Sequence, residues 1–455
     1  MTLLDNLIHA GVSIERAAAS ERHLRDYTVC GEPPLAVAYP RSTDEISTLL
    51  RLCNAANQAV VPQGGMTGMA GGGVPSKGAI VVSVERLRGV EEVDRAGATM
   101  TVRSGTPLQT VQEAAGEVGL MFPLDLGARG SCHIGGLVST NAGGNRVLRY
   151  GMMRDLVLGL EAVLPDGTVV SSLNKMQKNN TGYDTKQLFI GSEGTLGIVT
   201  RVVLRLFPQP KSSCTALCAA DTYDQVVELL ARTKADLGGT LSAFEVMWPA
   251  FYALATQQRP RGAPLPHGHG LYVLLDALGS DQQADQARFE AIIASAVEDG
   301  VVVDAVVAQS EADSKSLWDI RDATGEFPQM FWPHIAFDVS FPVGEIAAFV
   351  AYCDKRIMKS WPAAEVLYFG HIADCNIHVA VKLADGLSSA ADVKKLVYGA
   401  VRECGGSISA EHGIGLEKRD YLPYSRSQAE LGLMRLLKRS LDPNGILNPG
   451  KVLAP

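Results

Sequence analysis

The sequence predicts an α+β fold in two parts. Three observations carry that expectation. Glycine-rich loops recur behind short apolar runs between residues 62 and 197. Pro208-Gln209-Pro210 then breaks the clearest strand-like run in the chain. From about residue 214 to 424 the rhythm changes to short strand-like runs alternating with helical stretches, the pattern of sheets with helices packed on one face.

A chain of 455 residues that is 46% hydrophobic and 20% charged can bury a core without staples. Disorder, a collagen repeat and a disulfide mini-protein are excluded. The 41 Lys+Arg against 49 Asp+Glu give a net charge of −8, and no long basic run interrupts that balance, so no nucleic-acid partner is expected. The longest apolar runs, such as 271–277, fall far short of the roughly 20 residues that span a bilayer, so no transmembrane segment is expected. The opening Met1-Thr2-Leu3-Leu4-Asp5-Asn6 lacks the basic and apolar regions of a signal peptide. Eight scattered cysteines without a CxxC pair read as buried free thiols in a reducing, cytoplasmic setting. Cys214 and Cys218 form a CxxxC, but no second pair accompanies them to complete a zinc site.

Residues 1–33 read as a helical lead-in. Ser42-Thr43-Asp44-Glu45 is a capping box ahead of Ile46, Leu49, Leu50 and Cys53, which recur at helical spacing. Short strands are expected at 59–61, 80–84 and 99–103, and a longer one at 198–207, with Ile198, Val202, Leu204 and Leu206 on one face. Beyond the break at 208–210, strands are expected at 271–276, 301–308, 336–341, 366–369 and 377–381. Helices are expected at 223–235, 281–297, 310–323, 343–358 and 390–403, and a last one at 429–441.

The loops Pro62-Gln63-Gly64-Gly65-Met66-Thr67-Gly68 through Gly73, Gly127 through Gly144, and Gly191-Ser192-Glu193-Gly194-Thr195-Leu196-Gly197 carry the first chemical signal. Glycine lets backbone approach a ligand closely and turn N–H groups toward phosphate oxygens. One such loop is equally a tight turn, whereas three together suit a large dinucleotide. None is a GxGxxG opening a helix and no GxxxxGK[ST] is present, which excludes the commonest nucleotide-binding readings.

Histidine and carboxylate residues carry the second. Gly370-His371-Ile372-Ala373-Asp374-Cys375-Asn376-Ile377-His378 places Asn376 and His378 on one strand face, and a turn through 373–375 can return His371 toward them. With Glu411 of Ser409-Ala410-Glu411-His412-Gly413, two imidazoles and a carboxylate make a set that holds a divalent metal with positions open for substrate. A histidine pair in a strand is as well a satisfied core feature, and the residues alone leave both readings open. His267-Gly268-His269, in a Pro- and Gly-rich setting, reads as a surface loop; His334 of Trp332-Pro333-His334 either lines a pocket or packs in the core.

The loops at 62–73, 134–144 and 191–197, together with Asn180-Thr181-Gly182-Tyr183-Asp184, resemble the FAD-binding half of the vanillyl-alcohol-oxidase superfamily. Within it, the His371–His378 and Glu411-His412-Gly413 segments are similar to the D-lactate / D-2-hydroxyglutarate dehydrogenase branch. The resemblance implies a two-part FAD-binding domain over 1–210, an α+β cap with antiparallel sheet over 211–424, and a helical segment over 425–455 that returns to the FAD domain. It implies that Pro62, Gln63, Gly64, Gly65, Met66, Thr67 and Gly68 wrap the FAD pyrophosphate. Ser131, Ile134, Gly135, Gly136, Asn141, Gly143, Glu193 and Ile198 would line the cofactor, and Asn448 would close over it. Met66 stands where some relatives attach flavin through a histidine, so non-covalent FAD is expected.

The resemblance further implies His371, His378 and Glu411 as ligands of a divalent metal, zinc first and manganese or iron as alternatives, with His412 as the catalytic base. Arg321 and Asn376 would bind substrate. The expected reaction is oxidation of a D-2-hydroxy acid: the metal lowers the hydroxyl pKa, neutral His412 takes the proton, and FAD takes the hydride. The 2-hydroxyglutarate enzymes add a lysine where Ala336 stands here, and a hydroxyl-bearing residue is usual where Gly325 stands. An unpaired buried carboxylate is costly, so D-lactate or an apolar 2-hydroxy monocarboxylate is the expected substrate, with D-2-hydroxyglutarate as the alternative. An oxygen-using oxidase and a flavin-binding subunit of a larger complex are the other classes, the second disfavoured by the intact histidine set. Electron-transfer flavoprotein, a quinone or a cytochrome would take the electrons, and a homodimer is possible. The family turn usually has glycine where Ala373 and Cys375 stand, which puts the turn geometry in question.

Overall fold

In the computed structural model, which describes residues 2–15, 21–257 and 259–454, the chain divides into two units. The first comprises Met1–Gly144, Gly151–Gln209 and Glu411–Pro455; the second comprises Asn145–Tyr150 and Pro210–Ala410. Where the sequence put the return to the FAD-binding part at 425, the chain re-enters the first unit at Glu411. The backbone N–H groups of Ile414 and Gly415 donate there to the buried Glu193 carboxylate, and that of Leu416 to the Ala70 carbonyl.

A parallel core opens the first unit. Ser42 caps the helix Thr43–Ala55 by accepting from the Glu45 N–H at 3.2 Å. Glu45 turns its carboxylate to the Arg41 N–H instead of Ser42, so the expected box closes on one side only. Ile46, Leu49, Leu50 and Cys53 are the buried face of this helix and pack with Val60, Ile80 and Val82. Strands Ala36–Ala38, Ile80–Ser83 and Val60–Gln63 run parallel, and Ile14–Glu15 adds an antiparallel edge. The central Ile80–Ser83 is buried at every position, as a sheet covered on both faces requires. The 1–33 segment is helical only in part: Leu3–His9 is a capped helix, Ile14–Glu15 is strand, Glu21–Leu24 is one turn, and residues 16–20 lie outside the described residues.

A five-stranded antiparallel sheet follows, ordered Val90–Asp94, Thr99–Arg103, Ile198–Arg205, Val157–Val163, Val169–Ser172. Its middle strand, Ile198–Arg205, is buried on both faces and not only along Ile198, Val202 and Leu204.

The second unit is built on one seven-stranded antiparallel sheet. Its order is Asp304–Val307, Ser212–Ala220, Leu271–Gly279, Leu241–Met247, Glu365–His371, Asn376–Lys382, Ile335–Ser340. Two of these strands, Ser212–Ala220 and Leu241–Met247, were not expected. Both are buried on both faces, so neither alternates polar with apolar residues. Helices cover both faces of the sheet, which corrects the one-sided expectation. Pro249–Thr256 and Glu311–Arg321 close a core of Leu217, Ala219, Met247, Tyr272, Leu274, Leu367 and Phe369 on one side. Tyr223–Leu237 and Gln282–Glu298 pack against the same strands but lie outside that core.

All eight cysteines are free, and Cys30 is the exposed one. Burial pushes the thiols of Cys53 and Cys218 up to about 12 and those of Cys132 and Cys214 up to about 11. Cys375 and Cys404 are half-buried, so titration of the folded protein with a chromogenic disulfide at pH 8 should show Cys30 as the fastest thiol. Cys30→Ser should remove that phase, with Cys53, Cys132, Cys214, Cys218 and Cys353 reacting only after denaturation.

Candidate active site

The first unit holds a cavity of about 330 Å³ walled by the glycine loops. Its lining takes in Pro62, Gln63, Gly64, Gly65, Met66, Thr67, Gly68, Gly135, Gly136, Gly143, Glu193 and Ile198. The first loop leaves the strand Val60–Gln63 and is shaped from behind. Gln63 donates to the carbonyls of His23 and Gly73, and its Oε1 meets His23 Nδ1 at 2.8 Å. Asp26 accepts from the N–H groups of Gly71, Thr28 and Val29. Glycine is obligatory at residue 65: a Cβ there would lie 1.9 Å from the Ser131 carbonyl oxygen. Met66 takes a left-handed φ of 56°, its side chain packed near Gly73.

The second loop runs into the helix Ile134–Thr140, which ends at Asn141 in the left-handed region. Gly135 faces Ser104, where a Cβ would sit 2.7 Å from the serine Cβ, whereas Gly136 meets open space. Ser131, Ile134, Asn141 and Asn448 stand behind the wall and shape it. Ser131 presents its carbonyl to Gly65, and Ile134 is fully buried. Asn141 Oδ1 accepts from the Arg154 N–H at 2.8 Å. Asn448 Nδ2 sews the Gly72 carbonyl (2.9 Å) to the Glu193 carbonyl (2.7 Å). The stretch 180–184 is exposed and lies outside the cavity.

Glu411 and His412 also line this cavity. Glu411 Oε1 accepts from the Gly144 N–H at 2.9 Å. The turn that follows is fixed by Glu193, whose two oxygens accept from the N–H groups of Ile414 (2.7 Å) and Gly415 (2.8 Å). Burial pushes this carboxyl up, partly offset by those bonds and by the charges of Lys418 and Lys451. Glu193, expected as a cofactor contact, lines the cavity and with its carboxylate also holds the segment after His412.

Sequence reasoning passed over His133, which lines the same cavity and keeps a buried Nδ1 with no partner among the described residues. Its place inside the second glycine tract was the available signal. The cavity fits an FAD: glycine backbone replaces side chains along its wall, and at Gly65 a Cβ would fill the approach between its loops.

In the second unit, Arg321 ends the helix Glu311–Arg321 and reaches the sheet. Its Nε donates to Glu245 Oε2 at 2.7 Å, and its guanidinium lies over the Phe369 ring at 5.1 Å. His371 closes the strand Glu365–His371, with Nδ1 2.5 Å from Glu245 Oε1 and Nε2 3.3 Å from Arg321 Nη2. Burial alone would raise the Glu245 carboxyl; His371 and the Arg321 guanidinium beside it, with their hydrogen bonds, overrule it and hold it at about 2. The turn Ile372–Asp374 then returns the chain through Cys375, which takes the left-handed φ of 75° that glycine would take more easily, so the turn survives the substitution at a cost in strain. The strand Asn376–Lys382 brings His378 back, its ring 5.5 Å from that of His371. Asp338, on the neighbouring strand, accepts from Asn376 Nδ2 at 2.7 Å and from the Ala410 N–H at 3.1 Å, and lies 3.8 Å from His378 Nδ1. Asn376 keeps a buried Oδ1 with no partner among the described residues.

The donor set fits a divalent metal. Glu245 claims Nδ1 of His371, which leaves Nε2 as the ring's lone-pair nitrogen, and His378 presents a second imidazole beside it. His267 and His269 do not converge: the first bonds Thr256 and the second Asp221. His334 packs edge-on against Phe327 with Nδ1 buried.

Comparisons with known proteins follow this division. Residues 34–172 match the FAD binding domain family, and residues 209–452 match the C-terminal domain of FAD linked oxidases. Over 439 residues the chain is 40% identical to D-2-hydroxyglutarate dehydrogenase of Xanthomonas citri pv. viticola, covering 95% of this chain and 92% of that protein. A mitochondrial protein of Schizosaccharomyces pombe, provisionally named a D-lactate dehydrogenase, is 37% identical over 432 residues, 92% of this chain and 82% of its own. Among solved structures, 4-ethylphenol oxidase from Gulosibacter chungangensis superposes with a TM-score of 0.74 at 19% identity, covering 99% of this chain and 97% of its own. That likeness is one of fold.

Gly65→Ala forces a methyl group onto the Ser131 carbonyl, so either the first loop or the second must move. The purified variant should lose most of its flavin absorbance while keeping its far-ultraviolet circular dichroism. Wild-type flavin content would show the close approach to be dispensable.

Proposed function

Because the chain belongs to the FAD-linked oxidases, in the branch of the FAD-dependent D-2-hydroxy-acid dehydrogenases, we propose that it oxidises D-lactate or an apolar relative to the 2-oxo acid. The observation that carries this reading is His412 in the wall of the FAD cavity. A base must reach the hydroxyl proton while the hydride leaves for the flavin, and a histidine lining the flavin's own cavity is placed to serve.

Bound without a covalent link, since Met66 offers no bond-forming nitrogen, FAD supplies the hydride acceptor. His371 and His378, with Glu411 added by the motif resemblance, would hold a divalent metal, zinc before manganese or iron, which would polarise the substrate oxygens. Arg321 binds the carboxylate with the guanidinium edge that Glu245 leaves unused. Asn376 offers the substrate its unpaired Oδ1. His412 takes the hydroxyl proton. The acceptor of the electrons is an electron-transfer flavoprotein, a quinone or a cytochrome, and a homodimer and a reducing, cytoplasmic setting complete the reading. Among the described residues no helix is long and apolar enough to cross a membrane.

The substrate's chain length rests on one strand face. Ala336 is exposed there and pairs with Ala380, which in turn pairs with Leu367. Lys382, farther along the same face, is held by Glu365 at 3.3 Å and lies over the Phe331 ring. A distal carboxylate would meet aliphatic carbon beside an already paired cation. Relatives named D-2-hydroxyglutarate dehydrogenase keep the dicarboxylate as the second reading.

His412→Ala should lower the rate of flavin reduction by D-lactate by about 10²–10⁴-fold, the range for a positioned acid–base group. Anaerobic stopped-flow on the FAD-replete variant reads this directly, and near wild-type reduction would remove His412 as the base. Ala336→Lys should raise kcat/KM for D-2-hydroxyglutarate relative to D-lactate by at least about tenfold, equivalent to roughly 1.4 kcal/mol. A wild-type enzyme that already prefers the dicarboxylate would reverse the substrate reading.

A further inference from the structure

Glu245 belongs to a strand the sequence did not reveal. It is fully buried, and in the sheet register it stands opposite His371. Oε1 meets His371 Nδ1 at 2.5 Å and Oε2 accepts from Arg321 Nε at 2.7 Å. Arg321 Nη2 lies 3.3 Å from His371 Nε2 and closes a three-membered ring of contacts. The members come from the strand Leu241–Met247, the strand Glu365–His371 and the end of the helix Glu311–Arg321.

A carboxylate this deep is tolerated only when its oxygens are matched by charge and hydrogen bonds. The match works in both directions. Accepting from Nδ1 fixes which imidazole nitrogen carries the proton, and so leaves the lone pair on Nε2. Accepting from Nε pins the planar guanidinium by its inner edge, so the outer edge has one direction to point.

We infer that Glu245 is a positioning residue that sets two groups at once, the ligating tautomer of His371 and the direction of the Arg321 fork. The inference rests on the reading of His371 as a metal ligand and Arg321 as the carboxylate clamp. It adds a consequence that neither role has alone. Nε2 of His371 cannot accept from Arg321 and bind a cation together, so a metal ion at Nε2 displaces the Nη2 contact while Glu245 retains Arg321 through Nε. Metal binding therefore frees a donor for the substrate carboxylate, and the two binding events favour each other.

Glu245→Gln keeps the shape and removes the charge. In the full-length, FAD-replete protein, zinc affinity measured by competition with a chromophoric chelator should fall by about 10–100-fold, the usual effect of losing such a partner. KM for D-lactate should rise in the zinc-saturated variant. Asp276→Asn is the control for a generic loss: it removes another buried carboxylate of the same sheet, one bonded to Thr215 and Ser242, and should leave zinc affinity unchanged. Unchanged zinc affinity and KM in a folded Glu245→Gln would overturn the inference, as would an equal zinc loss in Asp276→Asn. Should Glu245→Gln not fold, selective ¹⁵N-histidine labelling of the wild-type, assigned with His371→Gln, decides it. An Nδ1–H tautomer at His371 is expected, and an Nε2–H tautomer would overturn the inference. If the wild-type takes up no zinc, the ligand assignment fails first, while the tautomer still tests Glu245.

Discussion

A carboxylate taken out of water must find donors for its oxygens, and in this chain that requirement fixes the backbone and side chains around the chemistry. Asp26 gathers the N–H groups behind the first glycine loop. Glu193 gathers those that follow His412. Glu245 gathers Arg321 and His371, and Asp338 gathers Asn376 and the Ala410 N–H. None of the four is left to solvent, so each converts the cost of burial into a geometric constraint on its neighbours. A half-satisfied network of this kind would be worse than an apolar core.

Backbone does the corresponding work in the first unit. Gly65 against the Ser131 carbonyl and Gly415 against the Ala70 carbonyl leave no room for a Cβ, so loops far apart in sequence lie in direct contact. The Gly65 contact ties the first cavity loop to the second, and the Gly415 contact ties the segment bearing His412 to the first. Asn448 adds a third tie, from the chain's C-terminal end to the carbonyls of Gly72 and Glu193. The cavity's loops and the position of His412 are thereby parts of one packing solution.

The second unit separates polarity along a single sheet face. Leu367, Phe369 and Ala380 meet the aromatic residues Phe251, Phe327 and Phe331, while Glu245, His371 and Asn376 occupy the end from which Arg321 approaches. Cys375 shows how firmly that polar end is held: the turn keeps its left-handed residue although glycine is absent. Surrounding structure that overrides an unfavourable φ is the mark of a region fixed by its contacts.

Patterns of local origin were legible in the sequence. Thr99–Arg103 and Ala390–Glu403 have the expected bounds, because alternation and helical spacing are properties of a short window. The glycine loops and the histidine motifs were legible because unusual residues stand close together in the chain. Ser212–Ala220 and Leu241–Met247 were not, since a strand covered on both faces has no alternation to read. Glu245 was hidden with its strand, and its partners lie 76 and 126 residues away in the chain. Glu193 lines the cavity, but the donors to its carboxylate come from residues 414 and 415, too far along the chain for its motif to show. The sequence by itself determined which residue types the chemistry would use and the local segments that carry them. Only the tertiary structure decided which buried carboxylate orients which of them, because pairing at that distance follows from chain topology and the need to satisfy charge out of water.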